Sequence, residues 1–260
     1  MKTLLSCLTL GIALLTIAPL HAESAVEGLT PQMMLVQARS MFPQEHIDVK
    51  GTLETAEARG MNAVARPYTL TLEWSHGNPT AACQIYSQRG DTTPLQSALL
   101  TRKNGETTLA LTNAEGVTSN NVRLNTPIAD TDLTWVDLTF NYLWWNQVTQ
   151  LTEEELDKRN LKSREGGRNC VVLEAFPPQE VKGIYSVLLW IDLSTGYLVQ
   201  SEQTDAHGKA VRRMWVQRIG RENGRWVPRE FRIQRDGMRR VTKLTIASIK
   251  ASNFSVEEQD

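Results

Sequence analysis

Apolar and polar residues alternate along most of the first half of the chain, and this pattern predicts β-strands. The alternation is clear over residues 47–53 and 68–74. A period of two with one apolar side is typical of an antiparallel sheet that has one buried and one solvated face. The stretches 82–88, 97–103 and 107–112 continue the pattern, so we expect about five strands here.

A second series of strand-length segments fills residues 169–250, where short turn sequences separate them. The turns at 192–196, 205–208, 222–224 and 236–237 all end in glycine. Glycine and asparagine supply the positive φ angles that tight hairpins require. About six more strands are expected, which gives a mainly β (α+β) protein with one large antiparallel sheet of about ten to eleven strands.

Two segments break the alternation and predict helices. Thr30-Pro31 has the form of an N-cap followed by proline at the first helical position, and the helix is expected to end at Pro43. Its apolar face contains Met34, Leu35, Ala38, Met41 and Phe42.

The second break is the aromatic segment 135–145, where we expect one helix with Thr134 as N-cap and Asp137 completing a capping box. Thr152 and Glu155 form another capping-box sequence. A sheet of this size tends to curl, so the helices are expected to cover its concave face.

Residues 1–22 have the pattern of a signal peptide. Lys2 precedes an apolar stretch from Leu4 to Ile17, and a cleavage site is expected near Ala22. Lipidation of Cys7 is disfavoured because the lipobox-like letters come before the apolar stretch rather than after it. Residues 23–260 contain no linker or internal repeat, so we expect a single exported domain without a membrane span.

The residues that usually carry catalysis do not form a recognisable set. Histidines lack metal-ligand spacing, and neither a Gly-x-Ser-x-Gly elbow nor a phosphate loop is present. We therefore expect no enzyme, no metal and no cofactor. Cys83 and Cys170 are left as either a disulfide or two separate buried residues.

Charge gives a mixed indication. The net charge of −1 favours neither nucleic acid nor membrane as a partner, but residues 209–243 contain twelve Lys or Arg and only three acids. This run is either a solvated strand surface or a docking surface for an acidic partner or anionic headgroups. Arg213 and Arg229 fall in phase with apolar neighbours, so one or both are candidates for a polar contact within the covered face.

Large aromatic residues on a covering helix, facing a broad apolar sheet, suit either ordinary core packing or a cavity for acyl chains. The candidate cavity and lid residues are Leu35, Met41, Tyr68, Leu70, Leu72, Trp74, Trp135, Phe140, Leu143, Trp144, Trp190, Trp215 and Phe231.

The sequence Asp132-Leu133-Thr134-Trp135-Val136-Asp137-Leu138 resembles the Ser/Thr-Asp-Phe-Ser/Thr-x-Glu/Asp-Asp/Leu signature of the LolA-like periplasmic outer-membrane lipoprotein-sorting proteins. Trp135 and Val136 depart from that signature. Further similar positions follow in the same order, at 170–173, Pro177, Tyr185, 189–192 and 202–209. The resemblance extends over nearly the whole mature chain.

The resemblance implies a half-open β-barrel closed by lid helices over an apolar cavity that shields lipoprotein acyl chains. It also implies a soluble periplasmic carrier whose partners are an inner-membrane release complex and an outer-membrane acceptor. We expect a monomer. The alternative is a regulatory or scaffolding module of the same fold that binds a periplasmic protein.

Overall fold

The computed structural model describes residues 26, 28–40, 46–56, 63–73, 80–103, 106–120, 122–178, 184–222 and 225–251. Predictions at Met41, Trp74, Pro43 and the signal peptide lie outside the described residues. Within the described part of the chain, no helix is long and apolar enough to cross a membrane.

One antiparallel sheet contains fourteen strands in the part of the chain that the structure describes. The strands are β1 His46–Ala56, β2 Val64–Glu73, β3 Thr80–Ile85, β4 Gln96–Lys103, β5 Glu106–Asn113, β6 Thr118–Ser119, β7 Gln147–Gln150, β8 Arg164–Glu165, β9 Arg168–Phe176, β10 Ser186–Asp192, β11 Leu198–Thr204, β12 Ala210–Glu222, β13 Arg225–Arg235 and β14 Val241–Ala251. The predicted single large sheet is confirmed, but the predicted number of strands is too low. The strands β6, β7 and β8 are only two to four residues long, which is too short to show an alternation.

The strand order is β6-β5-β4-β3-β2-β1-β14-β13-β12-β11-β10-β9-β7, and β8 pairs with β9 beside this path. The two halves of the chain meet where β1 pairs with β14. At this junction a Cβ on Gly51 would lie 1.9 Å from the carbonyl oxygen of Thr245, so only glycine fits. The two ends of the path are not paired with each other among the described strands, so the curved sheet is open.

Helix α1, Pro31–Ser40, forms where the sequence predicted it. The backbone N–H of Met33 donates to Oγ1 of Thr30, which therefore acts as the N-cap. Met34, Leu35 and Ala38 are buried against the sheet. Helix α3, Glu153–Lys158, begins with the predicted capping box between Thr152 and Glu155.

The predicted single helix over 135–145 is wrong. It is divided into helix α2, Trp135–Leu138, and a 3₁₀ helix, Asn141–Trp144. Phe140 separates them because its φ of 49° lies in the left-handed region, which ends a right-handed helix. Thr134 is the N-cap, but its hydroxyl donates to the Asp137 carboxylate instead of accepting a backbone N–H, so the predicted capping box is incomplete.

Both faces of the sheet are buried around β9 and β10. We call the face covered by α1, α2 and the 3₁₀ helix the inner face, and the opposite face the outer face. In β10, Leu189 and Ile191 pack into the inner core, while Leu188 and Trp190 pack into a second cluster. That outer core also contains Leu156 of α3. The sequence predicted only one buried face.

Candidate functional site

Residues 131–145, which we call the lid segment, lie across the inner face. On one side, Arg102 of β4 donates to the Trp144 carbonyl at 2.7 Å. On the other, the Tyr142 hydroxyl donates to Ser201 Oγ of β11 at 3.2 Å. The segment therefore spans the sheet from β4 to β11.

An apolar cleft lies between the lid segment and strands β1, β2, β13 and β14. Leu138 and Phe140 contribute its lid side. Its sixteen lining residues are all aliphatic, aromatic or proline: Ile47, Val49, Tyr68, Leu70, Leu72, Leu138, Phe140, Tyr197, Leu198, Trp226, Val227, Pro228, Phe231, Leu244, Ile246 and Ile249. Such a lining has few groups to orient a polar ligand and is suited to a hydrocarbon.

The cleft is almost filled in this conformation. Its cavity volume is about 80 Å³, whereas ligand pockets typically measure roughly 300–1,000 Å³. The Phe140 ring lies 5.7 Å from the Phe231 ring, between centroids, and thus occupies space above β13. An acyl chain would require the lid segment to move.

Phe140 is held in a backbone conformation that bulky residues rarely adopt. Such conformations persist only where the surrounding structure imposes them. Here the ring also packs edge-to-face against Tyr142 and is 7 % exposed. The strain is therefore stored in the part of the lid that closes the cleft.

A buried polar network fastens the lid segment to the sheet. The Asp137 carboxylate accepts hydrogen bonds from Thr134 Oγ1 at 2.6 Å and from Gln203 Nε2 at 2.7 Å. Arg212 of β12 donates to Gln203 Oε1 at 3.0 Å and lies 3.8 Å from the Asp137 carboxylate. Burial raises the pKa of Asp137, although Arg212 and the two hydrogen bonds act in the opposite direction.

A second set of polar contacts binds the beginning of the lid segment to the sheet. The Asp132 side chain is 2 % exposed and accepts from Arg240 Nη2 at 2.8 Å. The Asp132 N–H also donates to Thr242 Oγ1 at 2.9 Å. The acidic positions of the 132–138 motif therefore bind the lid segment to the sheet, a role that the sequence pattern did not reveal.

Five of the predicted cavity residues line the cleft. They are Tyr68, Leu70, Leu72, Phe140 and Phe231. Leu35, Trp135 and Leu143 are buried in the inner core without lining the cleft. Trp144 is partly buried under the Arg39 guanidinium, 4.5 Å from the ring centroid, and does not line the cleft either.

Trp190 and Trp215 do not face the inner side. Trp190 belongs to the outer core, where its Nε1 donates to the Lys162 carbonyl at 2.8 Å. Trp215 lies on the outer face, with the Arg213 guanidinium 5.3 Å from its ring centroid. The prediction failed because apolar residues occupy both faces here, and periodicity alone cannot distinguish the faces.

The predicted inner-face role of Arg213 is also wrong. Arg213 donates to Gln200 at 2.7 Å and to Glu165 at 2.8 Å on the outer face. Its neighbour Arg212 is the inward-pointing arginine, in phase with Met214 of the inner core.

Arg229 does not line the cleft. It pairs with Glu222 and donates to the Arg221 carbonyl near the end of the β12–β13 hairpin. The interpretation that Arg229 makes a polar contact within the cleft is therefore wrong.

Cys83 and Cys170 are both free and buried, so the disulfide alternative is wrong. Cys83 packs in the inner core and Cys170 in the outer core. Burial raises the pKa of Cys83 to about 12 and that of Cys170 to about 11. Burial therefore disfavours, at both sites, the thiolate that nucleophilic chemistry requires.

Several cleft residues were missed by the sequence interpretation. On β14, Leu244, Ile246 and Ile249 all line the cleft. Strict alternation cannot place Ile246 and Ile249 on one face, but a β-bulge shifts the register between Lys50 and Gly51 and realigns them. The apolar character of these residues is visible in the sequence, but the bulge is not, so alternation alone did not place them on one face.

Comparison with known proteins supports the fold. A family model described as "uncharacterized protein" matches residues 118–257, more than half of the chain. No curated protein matches the sequence significantly. Three solved structures are similar over nearly their whole length.

An outer-membrane lipoprotein-sorting protein domain from Vibrio parahaemolyticus has a TM-score of 0.70 at 14% identity, covering 88% of this chain and 95% of that one. A LolA superfamily protein from Nitrosomonas europaea has a TM-score of 0.67 at 16% identity, with coverages of 86% and 94%. A DUF1329 family protein from Desulfovibrio piger has a TM-score of 0.69 at 12% identity, with coverages of 86% and 92%. At these identities the similarity concerns the fold, and the fold implied by the sequence resemblance is confirmed.

Proposed function

Because this chain belongs to the uncharacterized protein family matched over residues 118–257 and has the LolA-like fold, we propose that it is a periplasmic carrier that binds an acyl chain. The observation that carries the proposal is the apolar cleft under the lid segment. All sixteen of its lining residues are aliphatic, aromatic or proline. Burying hydrocarbon there contributes about 0.8 kcal/mol per CH₂.

The lid segment regulates access in this proposal. Leu138 and Phe140 occupy the space that the ligand needs. Binding displaces them, and the strained backbone of Phe140 lowers the free energy needed to do so. The Asp137 and Asp132 contacts return the lid to its closed position when the cleft is empty.

The carrier acts without chemistry or a cofactor. By the sequence resemblance, its cargo is the acyl part of a lipoprotein or another lipid. The same resemblance implies that an inner-membrane complex releases the cargo to it and an outer-membrane acceptor receives the cargo. Export through residues 1–22 and a monomeric state belong to this proposal.

Displacement of a fluorescent fatty acid from the purified mature protein tests the proposal. Leu70→Glu places a charge in the cleft, and Leu70→Trp fills the cleft without a charge; both are expected to abolish binding. Thr69→Glu is the matched control because Thr69 is the neighbouring residue on β2 and does not line the cleft. Binding that survives both Leu70 variants contradicts the proposal.

The small cavity favours a second candidate, a module that binds a periplasmic protein without lipid. In that case the cleft, whose volume is about 80 Å³, never opens. Native mass spectrometry of protein purified from cells separates the candidates. Lipid that co-purifies with the protein supports the carrier proposal. Lipid-free protein that also binds no acyl probe supports the protein-binding module.

A further inference from the structure

A lateral gap in the sheet lies between β11 and β12. The pairing of these strands begins at Gln200 and Trp215. Beyond that point β12 continues from Val216 to Glu222 and pairs only with β13. The β12–β13 hairpin therefore projects past the end of β11 and leaves an opening in the curved sheet between β11 and β12.

A groove of about 590 Å³ occupies this opening on the outer side. Five residues line both the groove and the apolar cleft: Tyr197, Leu198, Trp226, Val227 and Pro228. The groove and the cleft therefore adjoin each other across these residues. The groove is larger than the cleft and bears charged side chains.

Among the described charged residues that line the groove, Arg218 forms no ion pair with a carboxylate. Arg168 pairs with Asp192 at 2.7 Å, and Glu165 pairs with Arg213 at 2.8 Å. Arg218 lines the groove, and none of the described carboxylates lies within 4.0 Å of it. Glu230, its cross-strand partner, bonds to Arg232 instead.

Exposed aromatic surface accompanies this cation. Trp226 is 49 % exposed, and the Arg221 guanidinium lies 4.8 Å from its ring centroid. An exposed aromatic ring and an arginine without a carboxylate partner, both lining one groove, favour a ligand with an apolar body and an anionic end.

A partner strand is a poorer fit to the same opening. The unpaired edge of β12 contains register shifts on both sides of Arg218. Bulges of this kind twist an edge and discourage the addition of another strand. The edge geometry therefore disfavours an extended peptide.

We infer that the ligand is a single-chain anionic amphiphile that enters through the gap between β11 and β12. Its chain lies in the apolar cleft, and its anionic headgroup pairs with Arg218 in the groove. This inference rests on the proposed acyl-chain binding and adds the entry side and the headgroup charge.

Affinities for two lipids with the same acyl chain test it, with lysophosphatidylglycerol as the anionic probe and a monoacylglycerol as the uncharged probe. The wild-type protein is expected to bind the anionic probe about tenfold more tightly, since a hydrogen bond to a charged group supplies that much. Arg218→Gln removes this preference and leaves the affinity for the uncharged monoacylglycerol unchanged. Arg239→Gln, an exposed arginine outside the groove, is the matched control and retains the preference.

The outcomes are distinguishable. Equal affinity of both probes for wild-type protein, or an unchanged preference in Arg218→Gln, overturns the headgroup site and leaves acyl-chain binding intact. Failure of both probes to bind overturns acyl-chain binding as well. Tight binding of glycerol phosphate, which has no chain, overturns the inference in favour of a free phosphate site.

Discussion

The amide of Gln203 on β11 donates a 2.7 Å hydrogen bond to the carboxylate of Asp137 in the lid segment. Both side chains are almost completely buried. The bond links residues that are 66 positions apart and ties the lid to the centre of the sheet. Buried polar contacts of this kind have a large effect when one partner is removed, because the other is left without a hydrogen bond.

Asp137→Ala is expected to lower the free energy of unfolding by about 2–4 kcal/mol, because Thr134 and Gln203 lose their shared acceptor and Arg212 loses a nearby negative charge. Urea unfolding at neutral pH measures this. Asp157→Ala, on the exposed side of α3, is the control and is expected to change stability by less than about 0.5 kcal/mol. Equal effects of the two substitutions would show that the network does not hold the lid.

The same carboxyl gives a pH dependence. Burial raises the pKa of Asp137 above its ordinary value of 3.8. The native state therefore binds more protons than the unfolded state in the window between the two pKa values. The part of the stability that depends on protonation of Asp137 is fully present below 3.8 and is lost as pH rises through the native pKa.

The free energy of unfolding of wild-type protein, relative to Asp137→Asn, should accordingly decrease as pH rises through this window. Urea unfolding of both proteins at a series of pH values measures the difference, which cancels the titration of all other groups. A difference that increases with pH would contradict the raised pKa.

Phe140→Ala is expected to enlarge the cleft and increase the affinity for an acyl probe, because the ring that fills the space is removed. The truncation should also lower stability by about 3–5 kcal/mol. Phe176→Ala is the matched control, since Phe176 packs against Tyr185 and does not line the cleft. Reduced probe binding by Phe140→Ala would mean that Phe140 forms part of the binding surface rather than its closure.

Arg240→Gln is expected to loosen the beginning of the lid segment, because the buried Asp132 loses its charged partner. Since Arg240 is partly exposed, the loss of stability should be about 1–2 kcal/mol. Hydrogen exchange should become faster at lid amides and stay unchanged in β9 and β10. The adjacent, exposed Arg239→Gln should leave the exchange of both regions as it is in the wild-type protein.

Gly51→Ala tests the junction between the two halves of the sheet. The added Cβ would overlap the Thr245 carbonyl, which is backbone and cannot rotate away. We expect a loss of more than about 3 kcal/mol or failure to fold. At Gly220 the nearest atom to an added Cβ is Arg229 Cγ, at 2.9 Å, on a flexible side chain. Gly220→Ala should therefore change thermal stability much less.

The sequence by itself determined the mainly β class, helix α1 and the capping box of α3. It also identified five residues of the cleft. These features depend on local rules: a period of two for strands, an N-cap followed by proline, and a Thr-x-x-Glu spacing. Each rule acts within a few residues, and in these elements no distant contact overrides it.

Only the tertiary structure decided which face each strand residue occupies. Arg212 rather than Arg213 points under the lid segment. Its contacts with Asp137 and Gln203 determine which side chains of β12 face inward. Trp190 lies in the outer core because α3 covers a face that the sequence pattern would leave open to solvent. The bulge at Gly51 and the left-handed conformation of Phe140 are likewise imposed by contacts between distant residues. Local alternation specifies a strand, whereas the partner that covers each face comes from elsewhere in the chain and determines where the cleft lies.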